Sequence, residues 1–408
     1  MSREPAIIGL GMTPMSVKAG PDSFTLAAEA VGAALSDAGL ERGDADGLLV
    51  GSSQGVRPDR LSVTLARRAG LGDLRLLEHL EIKGCTAVAM VTRAVLAIRA
   101  GMARTVICVF ADAPISSGKA AGSLYAHSGG NAGVRGLERA SGVLGSVPTY
   151  ALLASRFLHE TGGTEADLCA VATSARAWAA GSPEAVNRKP LDDEGYYASR
   201  MISAPLRVLD CARPVNGAVA VIVSAERPAG GDRAGADRAG ADRAGADQPG
   251  AGHGTPAITI PGMGAVHPMR RRRAGGESWF GGGGAAVDDA LAMAGITRAE
   301  LDVAELYDPF TIVTLCLLEE YGLCAPGQAG KFVRGGGIAP GGELPVNTGG
   351  GQLSGFYLQG MTPLAEAVIQ LRGDGGDRQV AGTRTALVTG IGGRIDHHEA
   401  LVLTREAA

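Results

Sequence analysis

The sequence predicts an α/β fold built from two similar halves. Short apolar runs of strand length alternate with amphipathic segments of helix length, which is the pattern of a mainly parallel sheet covered by helices on both faces. An internal match supports the two halves: residues 34–46 and 290–302 align without a gap and keep Ala, Leu, Ala, Gly, Arg and Asp in register. The 408 residues are 45% apolar and 20% charged, so the chain can bury a large core.

The elements of the first half follow one another without long gaps. The predicted order is strand 6–10, helix 24–38, strand 47–50, helix 59–69, strand 74–82, helix 86–100 and strand 105–110. Gly39 directly follows the first helix, where glycine commonly ends helices. The segment Lys83-Gly84-Cys85-Thr86 places a cysteine at the start of the third helix.

The second half repeats this order with a strand at 303–307, a helix at 360–371 and a strand at 385–389. Residues 94–101 also resemble residues 366–373, and each stretch precedes a strand. Two matches in the same order favour duplication over chance. We therefore predict an N-terminal half over 1–227, a linker over 228–256 and a C-terminal half over 257–408. The linker repeats Arg-Ala-Gly-Ala-Asp and is too poor in apolar residues to fold, so we expect it to be disordered and without chemistry.

Several classes of function are disfavoured. A net charge of −4 argues against a nucleic-acid binder; the run Arg270-Arg-Arg-Arg273 is either a solvated linker flank or a patch for an anionic substrate such as a CoA phosphate. The six cysteines have no CxxC spacing, which argues against a zinc site or a disulfide framework and suits a reducing cytoplasm. No apolar run reaches the length of a membrane span. No Walker loop, dinucleotide fingerprint or metal cluster is present, so we expect no metal and no bound cofactor.

The glycine-rich stretch from residue 347 to 361 predicts a ligand site. Glycines let the backbone approach a ligand, and the N-terminus of the following helix attracts developing negative charge. We assign Asn347, Gly350, Gly351 and Ser354 to substrate binding, although Asn347 and Ser354 would equally serve to cap the loop.

Four segments resemble the thiolase superfamily, in its branch of sterol-carrier-protein-x and lipid-transfer-protein-like enzymes. They are Pro205-Leu-Arg-Val-Leu-Asp-Cys211, Asn216-Gly-Ala-Val-Ala220, Leu306-Tyr-Asp-Pro-Phe-Thr311 and Leu344-Pro-Val-Asn-Thr-Gly-Gly-Gly-Gln-Leu353. The resemblance covers nearly the whole chain outside the linker. It implies the thiolase fold, with duplicated βαβαβ halves in an α-β-α-β-α layered arrangement.

By this resemblance Cys85 occupies the position of the thiolase nucleophile, where a helix N-terminus favours thiolate. The family's Gly-His-Pro is replaced by Gly355-Phe-Tyr357, and at the position of its Cys-x-Gly stands Gly390-Ile-Gly-Gly393, which has no thiol. Tyr307 and Tyr357 resemble the tyrosine pair of the aldolases in this branch that cleave steroid side chains. We group Gly392 with the thioester-binding residues.

The resemblance implies an enzyme that makes or breaks a C–C bond next to a CoA thioester, by aldol or retro-aldol chemistry with Tyr307 and Tyr357 as acid and base. An acyltransferase using a Cys85 thioester is the alternative, with His127 as its best candidate base and His397 or His398 as weaker ones. A third reading is a non-catalytic acyl-CoA-binding subunit. The resemblance further implies an acyl-CoA substrate, a homodimer and a small partner protein with an OB fold and a zinc ribbon.

Overall fold

The structure, a computed structural model, describes residues 4–53, 61–116, 133–226, 256–268, 279–393 and 396–406. Residues 228–255 of the predicted linker lie outside this part of the chain, as does the arginine run at 270–273. In the part that is described, no helix is long and apolar enough to cross a membrane.

The elements predicted from sequence are all present, with ends that differ by a few residues. The strands of the described residues are β1 (Ala6–Met12), β2 (Gly47–Gly51), β3 (Leu76–Leu80), β4 (Thr105–Asp112), β5 (Met201–Ser203), β6 (Leu206–Arg207), β7 (Gly217–Ser224), β8 (Ile258–Val266), β9 (Val303–Glu305), β10 (Thr385–Gly392) and β11 (His397–Arg405). Their α-helices are α1 (Ser23–Asp37), α2 (Leu61–Arg68), α3 (Thr86–Arg99), α4 (Gly133–Ala140), α5 (Val147–Thr161), α6 (Glu165–Ala180), α7 (Asp193–Ala198), α8 (Gly284–Ala294), α9 (Thr311–Glu320), α10 (Ala329–Arg334) and α11 (Met361–Arg372).

The sheet is mixed, so the expectation of a mainly parallel sheet is wrong. Among the described residues the main sheet has nine strands in the order β3-β2-β4-β7-β1-β8-β11-β10-β9. The β2–β3, β2–β4 and β9–β10 pairs are parallel. The antiparallel pairs of this sheet all involve β7, β8 or β11, and β5 and β6 form a separate antiparallel pair. Strands β7, β8 and β11 lie outside the two stretches in which helices and strands alternate, which explains why the alternation did not reveal them.

Equivalent strands follow one another in the same order in the two halves of the sheet. Reading outward from the β1–β8 contact, the first half runs β1, β7, β4, β2 and the second runs β8, β11, β10, β9. The matched helices α1 and α8 are both followed by a glycine with positive φ, Gly39 at 66° and Gly295 at 70°. Both then enter a 3₁₀ turn and a strand. The duplicated architecture predicted from the internal match is confirmed.

The contacts between helices and strands define the layers of the fold. Helix α1 contacts strands of the first half, and α8 contacts strands of the second half. Helices α3 and α11 instead contact strands of both halves and each other, and every residue of α11 is buried. The polar side chains of α11 are buried with partners, as Glu366 is in its ion pair with Arg378 at 2.9 Å. The α-β-α-β-α arrangement thus places the N-termini of α3 and α11 side by side.

Strand β9 is shorter than predicted, and its end positions the candidate site. The prediction ran to residue 307, but the strand ends at Glu305. The next backbone N–H, that of Leu306, donates to Asn347 Oδ1 at 2.6 Å instead of joining a ladder. This side-chain hydrogen bond turns the chain out of the sheet just before Tyr307.

Candidate active site

The two tyrosines predicted as a pair lie in contact. Tyr307 follows the end of β9, and Tyr357 lies in the loop between a π-helical turn (Gly351–Gly355) and α11. Their hydroxyl oxygens are 3.3 Å apart, within hydrogen-bonding distance. Burial raises the pKa of both phenols above the ordinary tyrosine value, so both are neutral near pH 7.

Tyr307 is positioned by the segment that carries Cys85. Its side chain is 7% exposed, and its ring lies against Gly84, where an added methyl group would overlap the ring and the carbonyl oxygen of Ile391. Gly84 and Cys85 form part of the 3₁₀ turn Lys83–Cys85 that opens α3. The central helix therefore supports Tyr307 from one side, and glycine is required there because a side chain would displace the phenol.

The glycine-rich loop is held by buried side chains. Asp308 Oδ1 accepts the backbone N–H of Gln352 at 2.8 Å, and its carboxylate lies where a Cβ of Gly351 would be. Burial raises the pKa of Asp308 to about 7. Gly350, with φ of 88°, packs against Ala175 and Ala179 of α6. These contacts fix the turn that precedes Tyr357.

The predicted substrate-binding residues of this loop all make contacts within the protein. Asn347 is buried at a positive φ of 55° and holds Leu306 through its amide oxygen. Ser354 is buried and its Oγ accepts a hydrogen bond from Arg176 Nε at 3.0 Å. Gly392 ends β10, and a Cβ there would overlap the carbonyl oxygen of Ile82. Their role in binding a thioester stays a prediction.

Cys85 lies at the N-cap of α3, at the helix start predicted for it. The expected lowering of its pKa is wrong, because its side chain is fully buried and burial raises the pKa of the thiol, with the Glu399 carboxyl adding to the shift. The thiol donates to the backbone carbonyl of His397 at 3.3 Å, which uses the S–H proton. Desolvation thus outweighs the helix terminus, and the arrangement stabilises thiol over thiolate.

The candidate histidine bases are not gathered around Cys85. His127 lies outside the described residues. His398 is fully buried, and its Nδ1 is 2.9 Å from the hydroxyl of Tyr321. His397 is half-buried, with Nε2 3.9 Å from Asp396 and its ring 5.3 Å from that of His267. The imidazole of His397 and the thiol of Cys85 make no hydrogen bond in the described structure; the thiol bonds to the backbone of that residue instead.

Three further polar residues near the site were not singled out from the sequence. Tyr150 on α5 stacks on Phe310, with ring centroids 4.2 Å apart. Asp112 is buried at the end of β4 and lies close enough to Tyr357 to raise its pKa slightly, after the larger effect of burial. Glu399 on β11 is buried beside Cys85. Of these three, only Asp112 could have been identified from the sequence, because it follows a predicted strand at the carboxyl edge of the sheet, where ligands bind.

The geometry suits proton transfer between neutral oxygens. Two phenols in hydrogen-bonding distance can accept a proton on one oxygen while releasing one from the other, so neither has to become an isolated anion. Within the described ranges no three His, Cys, Asp or Glu side chains come together in a way that would hold a metal ion.

Comparison with known proteins gives full-length relatives. A family described as Thiolase C-terminal domain-like matches residues 279–405. The chain is 35% identical over 403 residues to 17-hydroxy-3-oxo-4-pregnene-20-carboxyl-CoA lyase of Mycobacterium tuberculosis, covering 95% of this chain and 96% of the relative. It is 32% identical to a steroid side-chain-cleaving aldolase of Thermomonospora curvata, covering 90% of each chain.

Two further matches concern a segment and the fold. A stretch of 107 residues is 40% identical to sterol carrier protein 2 of Bos taurus, covering 25% of this chain and 20% of the relative. A solved structure named Ltp2-ChsH2(DUF35) aldolase superposes with a TM-score of 0.83 at 29% identity, covering 99% of this chain and 98% of that chain.

Proposed function

The chain belongs to the thiolase superfamily, in its sterol-carrier-protein and lipid-transfer branch, and on this basis we propose that it is an aldolase that cleaves β-hydroxyacyl-CoA thioesters. It is an enzyme of this superfamily, and its full-length relatives are a lyase and an aldolase. We propose Tyr307 and Tyr357 as the acid and base. The observation that carries this assignment is the 3.3 Å separation of their hydroxyls in a buried setting.

The proposed reaction is a proton relay coupled to C–C cleavage. The proton of the β-hydroxyl moves to one tyrosine oxygen, that tyrosine passes its own proton to the second, and the second protonates the α-carbon. The Cα–Cβ bond breaks ahead of the arrival of this proton, so its electron pair first gives the thioester enolate character and then ends in the new Cα–H bond, while the β-carbon becomes a carbonyl. Both tyrosines return to their neutral forms, which agrees with their raised pKa values.

The substrate supplies the CoA, and the proposed chemistry uses no other cofactor. The names of the two full-length relatives make a steroid side-chain CoA thioester the first substrate to test. We propose that Asn347, Gly350, Gly351 and Ser354 act by building the loop that carries Tyr357, because their described contacts are with the protein. Gly392 would act in the same way at the end of β10, where its backbone lies against the carbonyl group of Ile82.

The test compares single-atom changes at the site. Tyr307→Phe and Tyr357→Phe should each lower kcat for cleavage by about 10²–10⁴-fold, the usual contribution of acid–base catalysis. Release of the carbonyl product and the shortened acyl-CoA is followed by liquid chromatography and mass spectrometry. Tyr197→Phe, at a tyrosine that is 42% exposed on the surface, is the matched control.

Cys85→Ala separates this proposal from acyl transfer. The variant should keep cleavage activity, and intact-protein mass spectrometry should find no acyl adduct on the wild type after incubation with acyl-CoAs. An adduct that requires Cys85, together with full activity of the tyrosine variants, would transfer the assignment to the acyltransferase alternative.

We also propose that the enzyme works as a homodimer with a small OB-fold and zinc-ribbon partner. Support for a partner comes from the structural relative, which is named together with a DUF35 protein. Co-expression with such a protein followed by size-exclusion chromatography tests this, and separate elution of the two proteins would contradict it.

A further inference from the structure

The proposed cleavage needs a third function that the tyrosine pair does not supply. As the Cα–Cβ bond breaks, negative charge develops on the thioester oxygen, and a donor placed at that oxygen stabilises the enolate. Tyr307 and Tyr357 are both engaged in moving the proton between the β-hydroxyl and the α-carbon. The donor to the oxygen must therefore be another group at the same site.

Tyr150 lies in the right place for this function. Its ring is stacked on Phe310 with an interplanar angle of 26°, and Phe310 follows Tyr307 by three residues. Tyr150 interacts electrostatically with Tyr307 and with Tyr357, and also with Asp396 on the turn between β10 and β11. Helix α5 thus brings a third phenol to the tyrosine pair from a different part of the fold.

The hydroxyl of Tyr150 is not taken up by a partner among the described residues. The ring is half-buried and held by its stacking on Phe310, while its hydroxyl makes no hydrogen bond within the described residues. A phenol in such a setting normally finds a partner for its O–H. Burial raises the pKa of Tyr150 above the ordinary tyrosine value, so this hydroxyl keeps its proton and acts as a donor.

We propose that Tyr150 is a third catalytic tyrosine, whose O–H donates a hydrogen bond to the thioester oxygen of the substrate as the enolate forms. This inference rests on the proposed aldol function and specifies how its intermediate charge is stabilised. Tyr150 transfers no proton in this role: the O–H bond is kept throughout, and the hydrogen bond strengthens as the oxygen gains charge.

The test separates enolate formation from cleavage. In D₂O, a short acyl-CoA such as propionyl-CoA gives up an α-proton through the tyrosine pair to a water in the place of the β-hydroxyl, and it regains deuterium by the same route. This exchange is fast only if the enolate is stabilised, and mass spectrometry follows it. Tyr150→Phe, which keeps the ring on Phe310, should slow both exchange and cleavage by about 10²–10³-fold, the usual effect of removing one such donor. The KM for cleavage should change only a few-fold, and Tyr197→Phe should match the wild type.

Each outcome bears on one of the two proposals. Exchange by Tyr150→Phe at the wild-type rate overturns the role of Tyr150, whatever the cleavage results. Wild-type exchange without cleavage of any β-hydroxyacyl-CoA contradicts the aldol function, and the exchange rate of the variant still decides the role of Tyr150. A wild type that neither exchanges nor cleaves overturns both. Tyr150→Leu is a second variant that lacks the hydroxyl. If it keeps the wild-type melting temperature and loses exchange to the same extent as Tyr150→Phe, the loss is due to the missing hydroxyl and not to the phenylalanine side chain.

Discussion

Individual side chains around the candidate site are held in their uncharged forms. Burial raises the pKa of the tyrosine pair and of Tyr150, and of the Cys85 thiol. A site of neutral donors suits a reaction in which the net proton transfer is internal to the substrate. It does not suit a thiolate nucleophile, which needs a positive environment that the described neighbours of Cys85 do not provide.

Glu399 should make the folded protein less stable as the pH rises. Burial raises its pKa from 4.5 to about 8 in the folded state, so between these values the folded state holds a proton that the unfolded state has lost. Its stabilising effect is therefore complete below about pH 4.5 and is lost as the pH rises through about 8. His267 faces Glu399 at 3.5 Å with a pKa lowered by burial, and its contribution has the opposite sign.

Comparison with Glu399→Gln isolates this effect. The free energy of unfolding of the wild type, relative to the variant, should fall by about 2–4 kcal/mol between pH 5 and pH 8. Urea denaturation at each pH measures the difference, and Glu343→Gln at an exposed position is the control for loss of one carboxylate. Parallel curves for wild type and Glu399→Gln would contradict the raised pKa.

The helices and strands that form the site pack against one another through close backbone contacts at glycines. The 3₁₀ turn before α3 contacts β10, and Gly84 lies between Tyr307 and Ile391. Gly360, at the N-cap of α11, lies against the carbonyl oxygen of Gly84. The starts of the two central helices and the end of β10 therefore position the phenol together.

Gly84→Ala should reduce activity by moving Tyr307. The added methyl group has no free space, so the substitution should lower the free energy of unfolding by about 1–3 kcal/mol and kcat by at least about tenfold. Gly32→Ala on α1 is the matched control, since a Cβ there meets nothing within 4 Å. That variant should be fully active and more stable by about 0.5–1 kcal/mol. Full activity of Gly84→Ala would show that Tyr307 does not need this contact.

The duplication extends to individual hydrogen bonds across the whole molecule. Asp46 Oδ1 accepts the backbone N–H groups of Arg104 and Thr105 at 2.8 and 2.9 Å. Asp302 Oδ2 accepts those of Arg384 and Thr385 at the same distances. Both aspartates are the last residues of the matched segments 34–46 and 290–302. Equivalent aspartates therefore fix the start of β4 in one half and the start of β10 in the other.

Asp46→Ala and Asp302→Ala should each destabilise the fold by about 1–3 kcal/mol, because two backbone donors lose their acceptor. The loss should be larger for Asp46, which is 7% exposed, than for the half-buried Asp302. Four strands separate β4 from β10, so the double variant should be additive within about 0.5 kcal/mol. Thermal or urea unfolding measures these differences. The corresponding Asn variants keep an acceptor oxygen and should lose less.

The local elements, the duplication and the tyrosine pair were all predictable from the sequence. Apolar periodicity, helix-ending glycines and the internal match depend on residues close together in the chain, so they are readable there. Tyr307 and Tyr357 each stand next to a predicted strand or helix, and it was the resemblance to the aldolases of this branch that singled them out as a pair.

Only the tertiary structure decided the strand directions and the state of Cys85. Strands β7, β8 and β11 pair antiparallel across long sequence separations, which no local pattern specifies. The pKa of Cys85 depends on how much protein surrounds the thiol, and its burial by β10 and β11 outweighs the helix N-terminus. Tyr150 reaches the tyrosine pair through the packing of α5, and proximity of that kind arises only when distant segments fold together.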